Sequence, residues 1–518
     1  MKKKDWFRLK KYPHIDRKIL PKERQMWIEK YVSNPDKVAK HAFLPFIHKV
    51  KKVRKFRKTY DEKTGHSIKT NDKVLRKSDS KTRDLYYAGH LDSLVYSYYA
   101  EKLNKEYEKK LKIENLGDVV LAYRAIPINP NIPNGQNKCN IDFANEVFEY
   151  IRNYPKEHFL VITFDIKSFF DELDHNKLLA SWSQLVDSED RLPKDHFNVY
   201  KSLSRFSYID LIDIFKLFQN QLIVQQRDSI GKLKDPRKKR VSKIKYLKKE
   251  EVVAFCTKEE FLRNKNKLVK HAKYARNEKS EILLDKDGNK KIRNYGIPQG
   301  TPISAVLANA YLLDFDKSIN NALNDVGGIY RRYSDDMIVI CPFQEKDRII
   351  ELFHDEIDKV NLRIQKSKTQ IFHFKKQAEL LSCEQEFESG FINSNKKLVY
   401  LGFEFDGVIS RLKPGSLSSY YRKMKKTVAR SKRYAAMSGP NHGELFKRRI
   451  LNKYSYKGAN RKRIWIHDKS KNGFVKTDRY DWGNFLAYTT KAAGTMRKNR
   501  INSQTKQHWK KLNGLLKS

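Results

Sequence analysis

The chain has 518 residues, and its 108 lysines and arginines outnumber 61 aspartates and glutamates to give a formal charge of +47. Such a surplus indicates a polyanionic partner, because Lys and Arg side chains that neutralise phosphates release condensed counterions. No apolar run approaches the roughly 20 residues of a membrane span, and the basic start lacks the apolar core of a signal peptide. The four cysteines are too scattered for a zinc site; they are Cys139, Cys256, Cys341 and Cys383. We therefore expect a cytoplasmic protein with free thiols and no membrane partner.

The positive charge is concentrated at the two ends of the chain. Residues 1–80 carry a net +16 and residues 411–518 a net +25, which leaves +6 for the 330 residues between them. This distribution is typical of a protein that holds nucleic acid from both sides while the chemistry takes place in the middle.

The elements follow in chain order after the basic first 80 residues. The segment "LDSLVYSYYAEKLNKEY" has apolar residues at helical spacing, and the Pro, Asn and Gly content of residues 127–138 predicts a loop. "HFLVITFDIKSFF" has an apolar run that predicts a buried strand ending near Asp165. A strongly basic insertion is expected at about 230–292. The last 110 residues alternate basic helical segments with loops.

Two adjacent aspartates, Asp335 and Asp336, lie between two strand-like runs in "YRRYSDDMIVI". Aspartates are common turn residues, so the pair alone indicates a turn more often than a metal site. Acids from separate strands that converge at one edge of a sheet can instead hold two Mg²⁺ ions about 3.5–4 Å apart. Asp165, at the end of its own predicted strand, is the natural third member of such a set.

Five sequence blocks occur in an order that decides between these interpretations. They are "FDIKSFFDELDH" (164–175), "GIPQGTPISAVLANAYL" (296–312), "YSDD" (333–336), "LRIQKSKTQI" (362–371) and "YLGFEF" (400–405). Together they resemble successive motifs of reverse transcriptases of the bacterial branch that includes group II introns and retrons. "RDLYYAGHLDSLVYSYYAEKLNKEYE" with "VLAYRAIP" is most similar to the stand-alone, defence-associated (antiphage) members.

The resemblance implies an α+β right-hand polymerase with a basic, α-helical C-terminal extension. Its expected regions are a basic N-terminal extension (1–80), fingers (81–160), a palm (161–400) that contains the insertion, and primer grip, thumb and basic helices (400–518). Asp165, Asp335 and Asp336 would be the catalytic metal ligands, joined by the backbone carbonyl of Ile166. The cofactor would be two Mg²⁺ ions, with Mn²⁺ as a substitute.

The resemblance also assigns residues to the incoming dNTP. Phe170 stands where reverse transcriptases have an aromatic gate against the ribose 2′-OH, whereas RNA-dependent RNA polymerases have an Asp there. Gln299 would lie against the nucleotide, and Arg124 would clamp the triphosphate, for which a guanidinium fork is suited. Lys368 would lie near the β- and γ-phosphates and protonate the leaving pyrophosphate. For Arg124 and Lys368 a solvated surface charge is the alternative.

Primer and template contacts are implied at two places. Tyr333 would pack beneath the primer end, and Leu401, Gly402 and Phe403 match the primer-grip turn. The implied partners are an RNA template, in particular a structured non-coding RNA, together with dNTPs and the cDNA product.

Two other functions remain open at this point. The same site could add nucleotides without a template or from a protein hydroxyl, and a maturase-like RNA-binding protein could keep the fold without polymerising. The intact acids, Gln299 and Phe170 argue against the second. Nothing in the sequence resembles an RNase H, HNH or integrase domain, which favours a stand-alone enzyme that makes cDNA for a purpose other than DNA insertion. The resemblance implies that this purpose is antiviral defence. Such relatives also form homo-oligomers, a property that this sequence does not reveal.

Overall fold

The computed structural model describes residues 5–59, 61, 67–71, 73–132, 135–188, 191–226, 228, 233–275, 281–377, 380–437, 442–459, 463–468, 473–480 and 483–517. The α-helices in these ranges are α1 (Glu29–Val32), α2 (Pro35–Ala39), α3 (His90–Ile113), α4 (Asn140–Arg152), α5 (Phe169–Glu172), α6 (His175–Leu185), α7 (Lys194–Ser204), α8 (Leu211–Phe218), α9 (Lys258–Leu268), α10 (Ser304–Tyr311), α11 (Leu313–Asp325), α12 (Lys346–Lys359), α13 (Pro414–Ala435), α14 (Lys447–Tyr454), α15 (Phe485–Thr495), α16 (Ile501–Thr505) and α17 (His508–Lys517).

The strands complete an α+β architecture, as predicted. They are β1 (Phe46–Lys58), β2 (Lys69–Thr70), β3 (Lys73–Val74), β4 (Arg76–Tyr87), β5 (His158–Asp165), β6 (Ser207–Asp210), β7 (Leu222–Val224), β8 (Arg237–Lys239), β9 (Val252–Ala254), β10 (Lys270–His271), β11 (Ile329–Tyr333), β12 (Asp336–Pro342), β13 (Gln370–Gln377), β14 (Leu380–Glu386), β15 (Ile392–Asn393), β16 (Leu398–Tyr400), β17 (Phe403–Phe405), β18 (Ser410–Leu412), β19 (Arg463–Asp468) and β20 (Gly473–Tyr480).

A six-stranded antiparallel sheet, which we call the central sheet, has the order β11-β12-β5-β13-β14-β15. Its strand β5 is apolar on both sides, because Leu160 and Ile162 join one buried cluster while Phe159 and Val161 join another. A strand covered on both faces needs a continuous apolar run rather than an alternating one. The prediction of a buried strand that ends at Asp165 is confirmed.

The first 90 residues are built around a long antiparallel pair, β1 and β4, which we call the basic hairpin. Its register runs from Ile47 opposite Tyr87 to Lys58 opposite Arg76. β1 also pairs in parallel with β6, and β6 pairs with β10. The basic hairpin is thereby anchored at one end in a four-stranded sheet beside α3.

The predicted insertion at about 230–292 contains β8, β9, α9 and β10, while its residues 230–232 and 276–280 lie outside the described ranges. Val241, Leu247 and Val252 are buried in a third apolar cluster with β7 and α8. The apolar residues scattered among its lysines therefore form a small core, and only part of the segment is exposed.

The C-terminal region begins with the three-stranded sheet β16-β17-β18, from which α13 leads away. α13, α14, α15 and α17 share a fourth apolar cluster that includes Met424, Ile450 and Leu512. An antiparallel hairpin of β19 and β20 is present in addition to the predicted helices. No helix in the described ranges is both long and apolar enough to cross a membrane.

Candidate active site

Three carboxylates meet at one edge of the central sheet. Asp165 is the last residue of β5 and Asp336 is the first residue of β12, and the register pairs the two directly. Asp335 immediately precedes Asp336, and its carbonyl oxygen accepts a hydrogen bond of 3.2 Å from the amide of Ile166. The structure thus brings together the three aspartates and Ile166 that the sequence placed in one site.

The turn that carries two of these acids, residues 333–336, is called the YSDD turn below. Tyr333 and Asp336 form its closing pair, and Ser334 has a left-handed backbone with φ +64°. The buried Arg332 side chain donates to the carbonyl of Ser334 at 3.3 Å. A charged residue in the core beneath the turn therefore helps to set its conformation.

Arg332 is itself held by a fully buried ion pair with Asp316 of α11. Its Nε lies 2.7 Å from Oδ1 and its Nη2 lies 2.5 Å from Oδ2 of Asp316. Burial opposes the charge on the guanidinium, but contact with Asp316 outweighs burial and holds the pKa of Arg332 above its usual range. Tyr330 donates a further hydrogen bond of 2.9 Å to Asp316, so the pair is well satisfied.

The carboxylates of the site repel one another. Desolvation by the surrounding protein, followed by the charges of Asp335 and Asp165, raises the pKa of Asp336 to about 6, although Lys413 and Lys368 partly offset the effect. The Lys368 ammonium contacts Oδ1 of Asp165. Within the described residues, no three His, Cys, Asp or Glu side chains are arranged closely enough to enclose a metal ion. The donor chemistry nevertheless suits a hard cation, since carboxylate oxygens are the ligands that such ions prefer and the three acids lie at one sheet edge.

Phe170 lies on α5, one turn beyond Asp165, and its ring is half-buried against Phe169 at a centroid distance of 5.5 Å. Its carbonyl accepts a hydrogen bond of 2.9 Å from the amide of Ile297. Gly296 has φ +80°, and a Cβ at this position would lie 2.6 Å from the carbonyl oxygen of Asp171. This close approach requires the glycine and fixes the "GIPQG" loop against α5.

Gln299 belongs to the same "GIPQG" loop. Its carbonyl accepts a hydrogen bond of 2.9 Å from the amide of Tyr86 at the end of β4. The following Gly300 has φ +114°, and a Cβ there would approach the Tyr86 carbonyl oxygen to 3.1 Å. The loop therefore joins the basic hairpin to the site.

The Arg124 side chain is enclosed in a polar cage. Its guanidinium makes a two-pronged contact with Glu108, at 2.9 and 2.8 Å, and donates to the carbonyls of Gly117 and Val120, both at 2.5 Å. Only 7% of the side chain is exposed. In this arrangement Arg124 has no free face for a triphosphate.

The predicted primer-contact residues occupy two neighbouring turns. Leu401 and Gly402 both have positive φ, 44° and 95°, in the two-residue turn between β16 and β17. Asn140 donates to the carbonyl of Leu401 at 3.0 Å, which ties this turn to α4. Phe403 is fully buried, so it can support the turn only through packing. The Tyr333 ring lies 6.2 Å from that of Phe143 on α4.

A comparison with protein families now identifies the central part of the chain. Residues 254–405 match the family described as reverse transcriptase (RNA-dependent DNA polymerase). The chain carries a reverse transcriptase domain. The chain is also 31% identical, over 93 residues, to the retron Se72 reverse transcriptase of Salmonella heidelberg. That match covers 17% of this chain and 24% of the relative. The predicted kinship with bacterial, retron-like reverse transcriptases is confirmed.

Solved structures of telomerases resemble this chain in fold, with low sequence identity and low TM-scores. Apo telomerase of Candida tropicalis is 11% identical with a TM-score of 0.33, covering 77% of this chain and 55% of that one. Candida albicans telomerase, solved with a TWJ fragment of telomeric RNA, is 14% identical with a TM-score of 0.31, covering 78% and 53%. The chain thus spans about half of these structures and about a quarter of the retron relative.

The reverse transcriptase domain matched in sequence does not include Asp165 or Phe170, which lie before residue 254. The pairing of β5 with β12 attaches them to it. With the central sheet as its palm, the α+β architecture is that of the predicted right-hand polymerase. The boundaries proposed for the individual regions stay a prediction.

Sequence reasoning missed the basic hairpin as part of the site. Lys81 and Arg83 of β4 precede Tyr86, whose amide holds the Gln299 loop. Lys81 lies near enough to Asp171 to counteract the raised pKa of that carboxyl. The like charges of Lys51 and Arg83 stand opposite each other in the register, an unfavourable arrangement without an anionic partner. The signal was the run of basic residues, most of which were assigned to the N-terminal extension (1–80), while Lys81 and Arg83 were placed at the start of the fingers (81–160).

A second basic surface, which we call the C-terminal groove, has a volume of about 1410 Å³ and begins beside the turn of Leu401 and Gly402. The amide of Lys413 donates to the carbonyl of Gly402 at 3.0 Å. Six cationic residues line the groove, namely Lys413, Lys423, Lys447, Arg448, Arg449 and Lys453. None of the six forms an ion pair with an acid in the described ranges. The first turns of α13, α14 and α15 also border the groove and add the positive ends of their dipoles.

Proposed function

We propose that this protein is an RNA-directed DNA polymerase that makes cDNA in the cytoplasm. The observation that supports the proposal best is the convergence of Asp165, Asp335 and Asp336 at one edge of the central sheet, next to the loop of Gln299. The family match covers residues 254–405, and the proposal extends reverse transcription from that part to the whole chain.

Asp165, Asp335, Asp336 and the carbonyl of Ile166 would hold two Mg²⁺ ions, for which Mn²⁺ can substitute. When bound, such ions activate a 3′-hydroxyl and stabilise the leaving pyrophosphate. The Lys368 ammonium contacts Asp165, one of the residues that would hold an ion. Its Nζ would be the group that donates a proton to the pyrophosphate oxygen.

For the triphosphate we assign Lys81 and Arg83 of the basic hairpin rather than Arg124. Arg124 would have to break four hydrogen bonds and leave Glu108 to reach a ligand. The two residues of β4 carry exposed or half-buried charges and lie on the strand that holds the Gln299 loop. Gln299 itself would lie against the nucleotide, as the resemblance implies.

The half-buried Phe170 ring leads to a prediction about sugar selection. Phe170→Val should increase the use of rNTPs relative to dNTPs by about 10- to 100-fold, because a smaller side chain leaves room for the 2′-OH. The measurement is the ratio of kcat/KM values for dCTP and rCTP on one template–primer. Phe169→Val, which replaces the buried neighbouring ring by a smaller side chain, is the matched control. It should lower stability without changing the ratio of the kcat/KM values for dCTP and rCTP. An unchanged ratio in Phe170→Val would remove the gate assignment.

The C-terminal groove supports RNA, or the RNA–DNA duplex, as the partner. The triple variant Lys447→Gln, Arg448→Gln, Arg449→Gln should weaken RNA binding and reduce the slope of log K against log salt by about 2–3, if each residue neutralises one phosphate. Fluorescence anisotropy with a labelled RNA at several salt concentrations measures both quantities. The control removes three exposed charges of α13 outside the groove: Lys425, Lys426 and Arg430. Equal effects in both triple variants would show that net charge alone, and not the groove, binds RNA.

The biological role that we propose is antiphage defence with a dedicated, structured RNA as template. Its support is the resemblance to defence-associated members in residues 83–108 and 120–127 and the similarity to a retron reverse transcriptase. The test is to sequence the nucleic acid that co-purifies from the native host and then to add labelled dNTPs and Mg²⁺, with and without RNase. One RNA species with RNase-sensitive synthesis supports the proposal. Synthesis that survives RNase would indicate template-independent or protein-primed addition, and bound RNA without incorporation would indicate a maturase-like RNA-binding protein.

A further inference from the structure

Tyr123 combines two properties that rarely occur together. Its backbone has φ +65°, a left-handed conformation that costs energy for an aromatic residue, and 54% of the residue is exposed. A strained backbone persists only when surrounding structure enforces it, and such residues cluster at functional sites. The core does not account for this one, because the ring lies largely in solvent.

The position of Tyr123 is set by its hydroxyl and by its chain neighbours. The hydroxyl lies 3.2 Å from the Oγ of Ser334, so the side chain reaches the YSDD turn. On the preceding side, the carbonyl of Ala122 accepts a hydrogen bond of 3.0 Å from Asn309. Asn309 also accepts one of 3.2 Å from the buried Arg332.

The segment is fixed on its other side as well. The amide of Leu121 donates to the carbonyl of Arg332 at 2.9 Å, and the amide of Arg332 donates to the carbonyl of Val119 at 2.8 Å. Arg124, which follows Tyr123 directly, is locked by Glu108 and two carbonyls. A set of buried polar contacts thus holds both neighbours of a residue that is itself exposed and strained.

We propose that Tyr123 is a positioning residue for the nucleic acid, and that its ring contacts a nucleobase of the terminal base pair above the YSDD turn. This inference rests on the proposed polymerase function. An exposed aromatic ring beside the turn offers a flat face to any of the four bases, which gives binding without sequence preference. The cage around Arg124 then has a purpose, because it holds Tyr123 at the turn.

The side chain of Ser334 is consistent with such a contact. It is small and buried, so it fills little of the space above the turn, and its Oγ is a hydrogen-bond partner of the Tyr123 hydroxyl. With the hydroxyl so fixed, the ring orients with little loss of freedom when a base approaches. Removing the ring should therefore weaken the hold on the primer terminus more than removing the hydroxyl.

The test uses the full chain and two substitutions at this position. Tyr123→Asn removes the ring while retaining a residue that tolerates φ > 0, and Tyr123→Phe keeps the ring but loses the hydroxyl. We expect Tyr123→Asn to raise the KM for template–primer by about 10- to 100-fold with a smaller change in kcat. Tyr123→Phe should stay within about threefold, and neither variant should lower the melting temperature. Tyr434→Ala, which removes an equally exposed ring at the end of α13, is the control and should change neither value.

A direct readout of the contact separates this inference from the proposed function. The probe is a template–primer duplex with 2-aminopurine at the primer terminus, bound in EDTA so that no chemistry occurs. Wild type and Tyr123→Phe should shift its fluorescence, and Tyr123→Asn should not. Equal signals and equal KM values in all three proteins would overturn the inference, as would a melting temperature that falls in Tyr123→Asn, which would make the ring a structural element. Failure of wild type to incorporate dNTPs on any template would instead overturn the polymerase, while the fluorescence still reports on Tyr123.

Discussion

The double substitution Asp335→Asn, Asp336→Asn is expected to reduce dNTP incorporation by at least about 1000-fold, since the ions that it displaces supply several kcal/mol of transition-state stabilisation. Affinity for RNA should be largely unchanged, because the basic hairpin and the C-terminal groove are intact. The measurements are single-turnover incorporation with labelled dNTP and anisotropy with labelled RNA on the same preparations.

The same variant should be more stable than wild type in the absence of metal. The raised pKa of Asp336, about 6, means that this carboxyl binds its proton more readily in the native protein than in the unfolded chain between roughly pH 4 and 6. Asp336 therefore contributes a loss of stability as pH rises through this range, and the asparagine variant lacks that contribution. The melting temperature of the variant should exceed that of wild type above pH 6, and the difference should shrink below it.

Added Mg²⁺ provides the complementary test. A ligand that binds only the native state raises its stability, so Mg²⁺ should raise the melting temperature of wild type and leave the variant unchanged. Asp314→Asn with Asp325→Asn removes two acids of α11 outside the site and is the matched control. If the Asp335→Asn, Asp336→Asn protein still incorporated dNTPs, polymerisation would have to take place at a site other than these two aspartates.

The acids of the site could be predicted because their signals are local. Asp165 ends an apolar run too continuous for anything but a buried strand, and Asp335 and Asp336 interrupt two such runs. Antiparallel pairing of those strands then places all three at one edge of the sheet. Gln299 and the turn of Leu401 and Gly402 were assigned through the resemblance of the five ordered blocks to reverse transcriptase motifs.

The environment of Arg124 could not be predicted, because it depends on contacts between distant elements. In the sequence, an arginine between a tyrosine and an alanine resembles a solvent-facing charge. Glu108 of α3 contacts Arg124 only once the segment after α3 has packed against that helix. The strain at Tyr123 has no sequence signal either, since neither glycine nor asparagine marks the position.

The basic hairpin was missed for a related reason. β1 and β4 are separated by 17 intervening residues, and their register is set by pairing at the anchored end, where β1 also joins β6. The hydrogen bond between Tyr86 and Gln299 joins residues more than 200 positions apart, and such long-range contacts show that the hairpin borders the site. Its many lysines concealed the strand pattern.

The buried ion pair of Arg332 and Asp316 should be the most sensitive structural element of the site. Asp316→Asn leaves a fully buried guanidinium without its counter-charge, which is expected to cost about 3–5 kcal/mol. The loss should be concentrated in the central sheet, where native-state hydrogen exchange of β11 and β12 amides measures it. Asp355→Asn on the outer part of α12 is a control that removes a carboxylate without a buried partner.

A second variant separates stability from activity. Replacing both members, as Asp316→Leu with Arg332→Met, removes the charges together and should recover much of the lost stability, because a buried pair is often no better than an apolar one. Incorporation should nevertheless remain low, since the hydrogen bonds from Arg332 to the Ser334 carbonyl and to Asn309 are absent and the YSDD turn loses its support. Recovery of activity together with stability would mean that Arg332 serves only to neutralise Asp316. Stable but weakly active protein would show instead that the charge is kept in the core because it positions the carboxylates of the turn.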